Sequence, residues 1–375
     1  MDQIPRNRVA LALLGSLVVL ALSGTPLSSQ QLPTPSAAAP TAPGRLSDEE
    51  FWRLSTEFSE PDGAFNSDNL VCNERLYQTV VPGLASLRGK GAYLGVAPEQ
   101  NFTYVVALAP KIAFVVDIRR GNLHLHLMYK ALFGLSRDRA EFLSKLFSRP
   151  RPDGVGTASS AAVLFDAFVV ATPTDALYDA NLKAVLDYLA VTHHLPLDTE
   201  DRLGIAYVYR YFRDFGPQLR YQNGRGGGAA FPNLPTFAAM HQLTDAAGVQ
   251  HNYMATETNF QAIKTFQDKN LLVPVVGDFA GPKALRAIGR YLTEQRTPVA
   301  AFYISNVEQY LFQNKAADRF YENVATLPTD DSSVFIRNRP ANPAAQLLDH
   351  IKPMLEDARA GKFLTYADVM ARVVR

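Results

Sequence analysis

A strand-and-helix alternation that occurs twice along the chain is the feature that most constrains the fold. Residues 92–96 form a short apolar run that ends in Pro98-Glu99-Gln100-Asn101. Residues 102–108 have helical character and stop at Pro110. Residues 112–118 (IAFVVDI) are β-branched and apolar, the composition of a strand covered on both faces. An amphipathic helix is expected over 123–133. Strand, helix, strand and helix in so short a stretch make a parallel βαβ unit.

The alternation resumes far downstream. Residues 271–276 (LLVPVV) read as a strand ending in Gly277-Asp278, and Gly281-Pro282-Lys283 opens a helix to about 293 with proline at its first position. Residues 299–304 (VAAFYI) form another buried strand ending in Ser305-Asn306, followed by a helix over 308–314 and a strand over 333–337. Between the two halves, residues 137–270 carry helical patterns at 137–147, 178–192, 201–215, 237–243 and 260–267. The expected architecture is an α/β domain over 46–375, a Rossmann-like, mainly parallel sheet flanked by helices, with 137–270 as a largely helical insertion or cap. Near its start, Ser47 before Asp48, Glu49 and Glu50 signals a helix over 46–58, and a second helix is expected over 67–81.

Ahead of the domain, Arg6 and Arg8 precede an uncharged apolar run over 9–22. That run is short against the roughly 20 residues of a bilayer span and fits the apolar core of a signal peptide. Ala21 and Ser23 supply small residues for cleavage; left uncleaved, the segment is a membrane anchor. Residues 1–24 are therefore read as signal peptide or anchor, and the protein as exported (periplasmic or extracellular) or tethered. Residues 25–45, rich in Pro, Ala, Ser and Thr, read as a disordered spacer. The full chain is 47% hydrophobic, enough for the part after residue 45 to build a large core. A net charge of +1 gives no footprint for nucleic acid, and Cys72, the single cysteine, excludes an intrachain disulfide and cysteine-based zinc sites.

Ligands of open α/β sheets bind beyond the carboxyl ends of the strands. The strand ends here offer Gly95, Glu99, Gln100 and Asn101; then Asp117, Arg119 and Asn122; then Asp278; then Ser305 and Asn306. Together they point to a site for a small nucleoside-like or anionic molecule. Asp117, just after the second strand, has the position of a carboxylate that accepts ribose hydroxyls, or else it pairs with Arg119 or Arg120. No G-x-S-x-G elbow occurs, no metal-binding set is evident, and His124 and His126 stand two apart, on different faces of a helix. The glycine-rich Gly224–Gly228 stretch lacks the lysine and hydroxyl residue of a phosphate loop. The tyrosines and phenylalanines between 207 and 215 are packing residues or a stacking surface over the site.

The order YLGVAPEQN, helix, IAFVVDIRRGN, and later LVPVVGDF and VAAFYISN, resembles the core of class I S-adenosylmethionine-dependent methyltransferases. Phrases of the kind SDNL, NE, PEQN, DIRR and GDFAGPKA also resemble an uncharacterised family of bacterial proteins, over most of the chain after residue 45. The methyltransferase likeness implies S-adenosylmethionine as cofactor. It places residues 95–101 beside the methionine part, Asp117 on the ribose, and Asp278, Ser305 and Asn306 beside the adenine or the acceptor. The chain departs from that pattern where Val96-Ala97-Pro98-Glu99 replaces the glycine-rich first loop. Two other readings stand beside methyl transfer: a non-enzymatic binding or scaffold protein with a decayed site, and a hydrolase using Glu99, Asp117 or Asp278 as acid and base.

Overall fold

The computed structural model describes residues 43–225, 234–339 and 345–373. The apolar N-terminal segment, the spacer up to residue 42 and the glycines at 226–228 lie outside them. After α1 (Asp48–Glu57), the chain runs through β1 (Ala92–Gly95), α2 (Gln100–Leu108), β2 (Ile112–Asp117) and α3 (Arg120–Gly134). Six helices follow: α4 (Arg139–Phe147), α5 (Ala161–Val170), α6 (Asp175–Asp187), α7 (Thr199–Phe215), α8 (Phe237–His241) and α9 (Glu257–Asp268). Then come β3 (Leu272–Val276), α10 (Ala284–Glu294), β4 (Val299–Ser305), α11 (Val307–Gln313) and α12 (Ala317–Val324). The chain closes with β5 (Val334–Arg339), β6 (Ala345–His350), α13 (Ile351–Arg359) and α14 (Tyr366–Val373).

The six strands form one sheet in the order β3-β2-β1-β4-β5-β6. All neighbours are parallel except β5 and β6, which pair antiparallel with Ile336 opposite Leu348. The strands β1 and β2 are buried along their whole length, as their unbroken apolar runs require. Helices cover the sheet: α1 packs on β3, and α3 on β2 and β3, while α3 is itself backed by α7 and α9. The fold is thus α/β with a mostly parallel sheet flanked by helices. Strand order reverses between β1 and β4, which makes the gap between their carboxyl ends the switch point of the sheet.

Ser47 caps α1 as its sequence signals, accepting from the Glu50 amide at 3.0 Å. The helix expected over 67–81 is absent. That stretch is extended and turn-like, with Asn69 at φ +46°, followed by a 3-10 helix at Val81–Leu87. Its backbone groups find partners far away in sequence instead: the Asp68 amide donates to Arg225 O at 2.9 Å and the Cys72 amide to Glu99. The helix α10 begins at Ala284 rather than at Pro282, because the Glu60 carboxylate takes the amides of Lys283 and Ala284 at 2.8 Å each.

Candidate functional site

From Ser59 to Glu74 the chain runs as a strap across the carboxyl ends of the strands, from β3 over β2 to β1 and β4. At β3, the Glu60 amide donates to Val276 O at 2.8 Å, and its carboxylate accepts from Asp278 N at 3.1 Å as well as from the start of α10. At β2, the Gly63 amide donates to Ile118 O at 2.8 Å and Asp62 Oδ1 accepts from Arg120 N at 2.6 Å, at the first turn of α3. At β1, the Cys72 amide donates to Glu99 Oε1 at 3.0 Å. At β4, Ser305 Oγ donates to Glu74, which also accepts from Tyr303, from Asn338 and from Gln346. Glu60 and Asp62 therefore stand at helix N-termini, the positions where an anionic ligand group is favoured. Glu60→Ala is expected to lower stability by about 1–2 kcal/mol, as for loss of a helix N-cap, measurable by urea unfolding.

The residues at the strand ends face inward. Gly95 lacks a Cβ because one would overlap Asn101 Oδ1 and the Tyr93 hydroxyl, a requirement of packing and not of ligand approach. Asn101 accepts from Tyr93 at 2.7 Å, and its amide donates to the carbonyls of Val96, Ala97 and Pro98 at 2.8, 3.1 and 2.7 Å. His126 Nε2 is 3.0 Å from the same Ala97 carbonyl, and Ala97 sits at φ +67°. The loop after β1 is thus held by its carbonyls. Burial pushes the Glu99 carboxyl up to about 7, with the Cys72 amide pulling the other way. Gln100 donates to the Tyr303 hydroxyl at 3.0 Å. Burial also raises the Glu74 carboxyl, opposed by its Ser305, Tyr303, Gln346 and Asn338 partners.

Asp117 does not present its carboxylate for a ribose. Oδ1 accepts from the Arg119 amide at 3.0 Å and from Arg119 Nε at 2.9 Å, and Oδ2 from Arg119 Nη2 at 2.8 Å. Arg119 Nη1 goes on to the carbonyls of Ser67 and Asp68, which ties the strap to β2. Asn122 is buried in the first turn of α3. Asp278 is half-buried and turns back on its own loop, accepting from Ala280 N at 2.9 Å. Asn306, half-buried, turns toward its own helix, its amide donating to Gln309 Oε1 at 3.4 Å. The structure thus joins Glu99, Gln100 and Ser305 through Cys72, Tyr303 and Glu74 near the switch point. Asp117 with Arg119 and Asp278 with Glu60 form separate clusters at β2 and β3.

An open space of about 850 Å³ lies beside these clusters, between the strap, the start of α3 and one face of α7. Asp62, Phe65 and Asp68 line it from the strap, Arg119, Arg120 and His124 from the end of β2 and α3, and Tyr207 from α7. Arg225 closes one side with its guanidinium 4.9 Å from the Tyr207 ring centroid. Tyr207 donates to Asp68 Oδ2 at 2.6 Å, and burial together with that bond pushes its hydroxyl upward. Asp68 also accepts from Arg225 N at 2.6 Å. Tyr209 and Phe212 of the α7 stretch are buried, as its reading chiefly as packing expects, and Tyr207 lines the groove, whereas Asp62, Asp68 and Arg225 carry no motif that marks them.

The chain matches the family described as Domain of unknown function (DUF7790) over residues 70–154 and 231–356, more than half of its length. It belongs to this family. No curated protein matches the chain. The strand-end residues from Glu74 to Asn306 all fall within the two stretches matched to the DUF7790 family. The α7 wall of the groove falls in the interval between them, together with α5 and α6.

Proposed function

We propose that the protein is exported or membrane-tethered and binds a small nucleoside-like ligand in the groove beside the end of β2. The composition of the groove carries this reading. Phe65 and Tyr207 line it with aromatic rings, Asp62 and Asp68 with carboxylates, and Arg120 and Arg225 with guanidinium groups, in a space of the size small ligands use. Its cations and acids are close to balanced, which suits a polar heterocycle with a sugar better than a bare anion. The strand order, 3-2-1-4-5-6, is that of doubly wound nucleotide-binding sheets, with the last strand reversed, and supports the Rossmann-like likeness.

A binding role is favoured over methyl transfer. The residues that the methyltransferase likeness assigns to S-adenosylmethionine do not fit it as they stand. Asp117 is taken up by Arg119, Gly95 packs on Asn101, and Cys72 and Glu74 lie over the ends of β1 and β4. The carboxylates of a hydrolase are not paired either: Glu99 is held on Cys72, Asp117 on Arg119 and Asp278 on Ala280.

Calorimetry with adenosine, adenosine monophosphate, S-adenosylmethionine and S-adenosylhomocysteine tests the reading. At least one of the four is expected to bind, and Tyr207→Ala to weaken it about tenfold, the effect of losing one stacking face. No heat from any of them at high micromolar concentration contradicts it. Cell fractionation tests the location: the protein is expected outside the cytoplasm or in the membrane fraction, and recovery in soluble cytoplasm contradicts export.

A further inference from the structure

His124 has no role in the contacts described so far. It is buried on α3 at the floor of the groove, with Nε2 3.0 Å from Asp201 Oδ1 on α7. The same oxygen accepts from Arg120 Nη2 at 2.6 Å and Nε at 3.2 Å. Burial pushes the Asp201 carboxyl up, but His124 and Arg120 together bring it below its ordinary value. An ionised carboxylate only accepts, so Nε2 must carry the proton, and in the neutral ring Nδ1 is then left as an acceptor.

Nδ1 lies against Gly204 in the middle of α7, where any Cβ would overlap the imidazole. A glycine inside a helix loses more chain entropy on folding than alanine, so the notch is a cost the helix bears for that ring. Nδ1 has no hydrogen-bond partner among the described residues, and both Gly204 and His124 border the groove.

Resting on the proposed nucleoside reading, we infer that His124 Nδ1 accepts a hydrogen bond from a sugar hydroxyl of the ligand, with Asp201 as the positioning residue that fixes its tautomer. The ligand class is narrowed to ribonucleosides, because a ligand without the hydroxyl has no donor to set against Nδ1.

Two measurements on the full chain test this. In the free protein, the imidazole nitrogen shifts of His124 are expected to show the Nε2–H tautomer; the Nδ1–H tautomer overturns the inference whatever binds. In calorimetry, adenosine is expected to bind about tenfold more tightly than whichever of 2′-deoxyadenosine and 3′-deoxyadenosine lacks the hydroxyl that meets Nδ1. His124→Phe should abolish that preference while keeping deoxynucleoside binding, and His124→Asn, whose amide oxygen stands near the place of Nδ1, should restore part of it. Equal binding of all three nucleosides, or a preference that survives His124→Phe, leaves the groove a nucleoside site and overturns the role of His124. If no nucleoside binds, the groove reading fails and this inference falls with it.

Discussion

Replacing Arg119 with alanine is expected to cost about 3–5 kcal/mol of folding stability, because it strands a buried carboxylate. The Asp117 and Arg119 side chains are only 5% and 10% exposed, and Arg119 supplies two side-chain hydrogen bonds to Asp117. The same substitution removes the donor that holds the carbonyls of Ser67 and Asp68, so the strap loses its tie to β2. Replacing both partners with apolar residues, Asp117→Leu with Arg119→Met, should recover much of the loss, since no charge is then left alone. Urea unfolding of the single and double variants measures both effects. A single variant within about 1 kcal/mol of the parent would show that Asp117 is not buried against Arg119.

Glu99 gives the second large effect, one that depends on pH. With its carboxyl pushed from 4.5 up to about 7, the folded protein keeps a proton that the unfolded chain releases. This contribution to stability is complete below the unfolded value and is lost as pH rises through about 7. Glu99→Gln removes the titration. Its stability relative to the parent is therefore expected to improve by about 3 kcal/mol between acidic and mildly alkaline pH. Taking the difference between the two proteins cancels the opposing titrations of His126 and His241, which burial pushes down to about 4. A difference that stays flat across that range would mean that Glu99 is solvated in the folded state.

The sheet was legible because its strands are fully covered. IAFVV and VAAFYI are apolar along their length, and such runs carry their assignment within themselves. By contrast α5, Ala161–Val170, is apolar nearly all round and shows no helical stripe, although Ser160 caps it, accepting from Val163 N at 3.2 Å. The strand β6 (AQLLDH) has no β-branched run and is defined by its pairing with β5, which no local pattern reveals.

The strap was the least legible element. The partners of Glu60 lie more than 200 residues away and Glu74 meets Ser305, so an apolar and polar pattern that suits a helix over 67–81 was overridden by contacts at long range. The polar residues at the strand ends were readable as a set, but their direction was not. Glu99, Gln100, Asn101 and Asp117 face other parts of the same chain. The groove draws on Asp62, His124, Tyr207 and Arg225, too far apart in sequence for any spacing to announce them.

That the chain closes the strand-end crevice with its own strap is the central claim, and Cys72 reports on it directly. It is the single cysteine, its side chain is buried within the strap, and burial beside Glu74 and Glu99 pushes its thiol well up. Reaction of the native protein with a disulfide reagent for exposed thiols, followed across urea concentrations, measures how often the strap opens. Closure predicts labelling only at the rate of global unfolding, with the denaturant dependence of the whole fold. Rapid labelling of the folded protein in the absence of urea, near the rate of a free thiol, would show an open crevice and contradict the account.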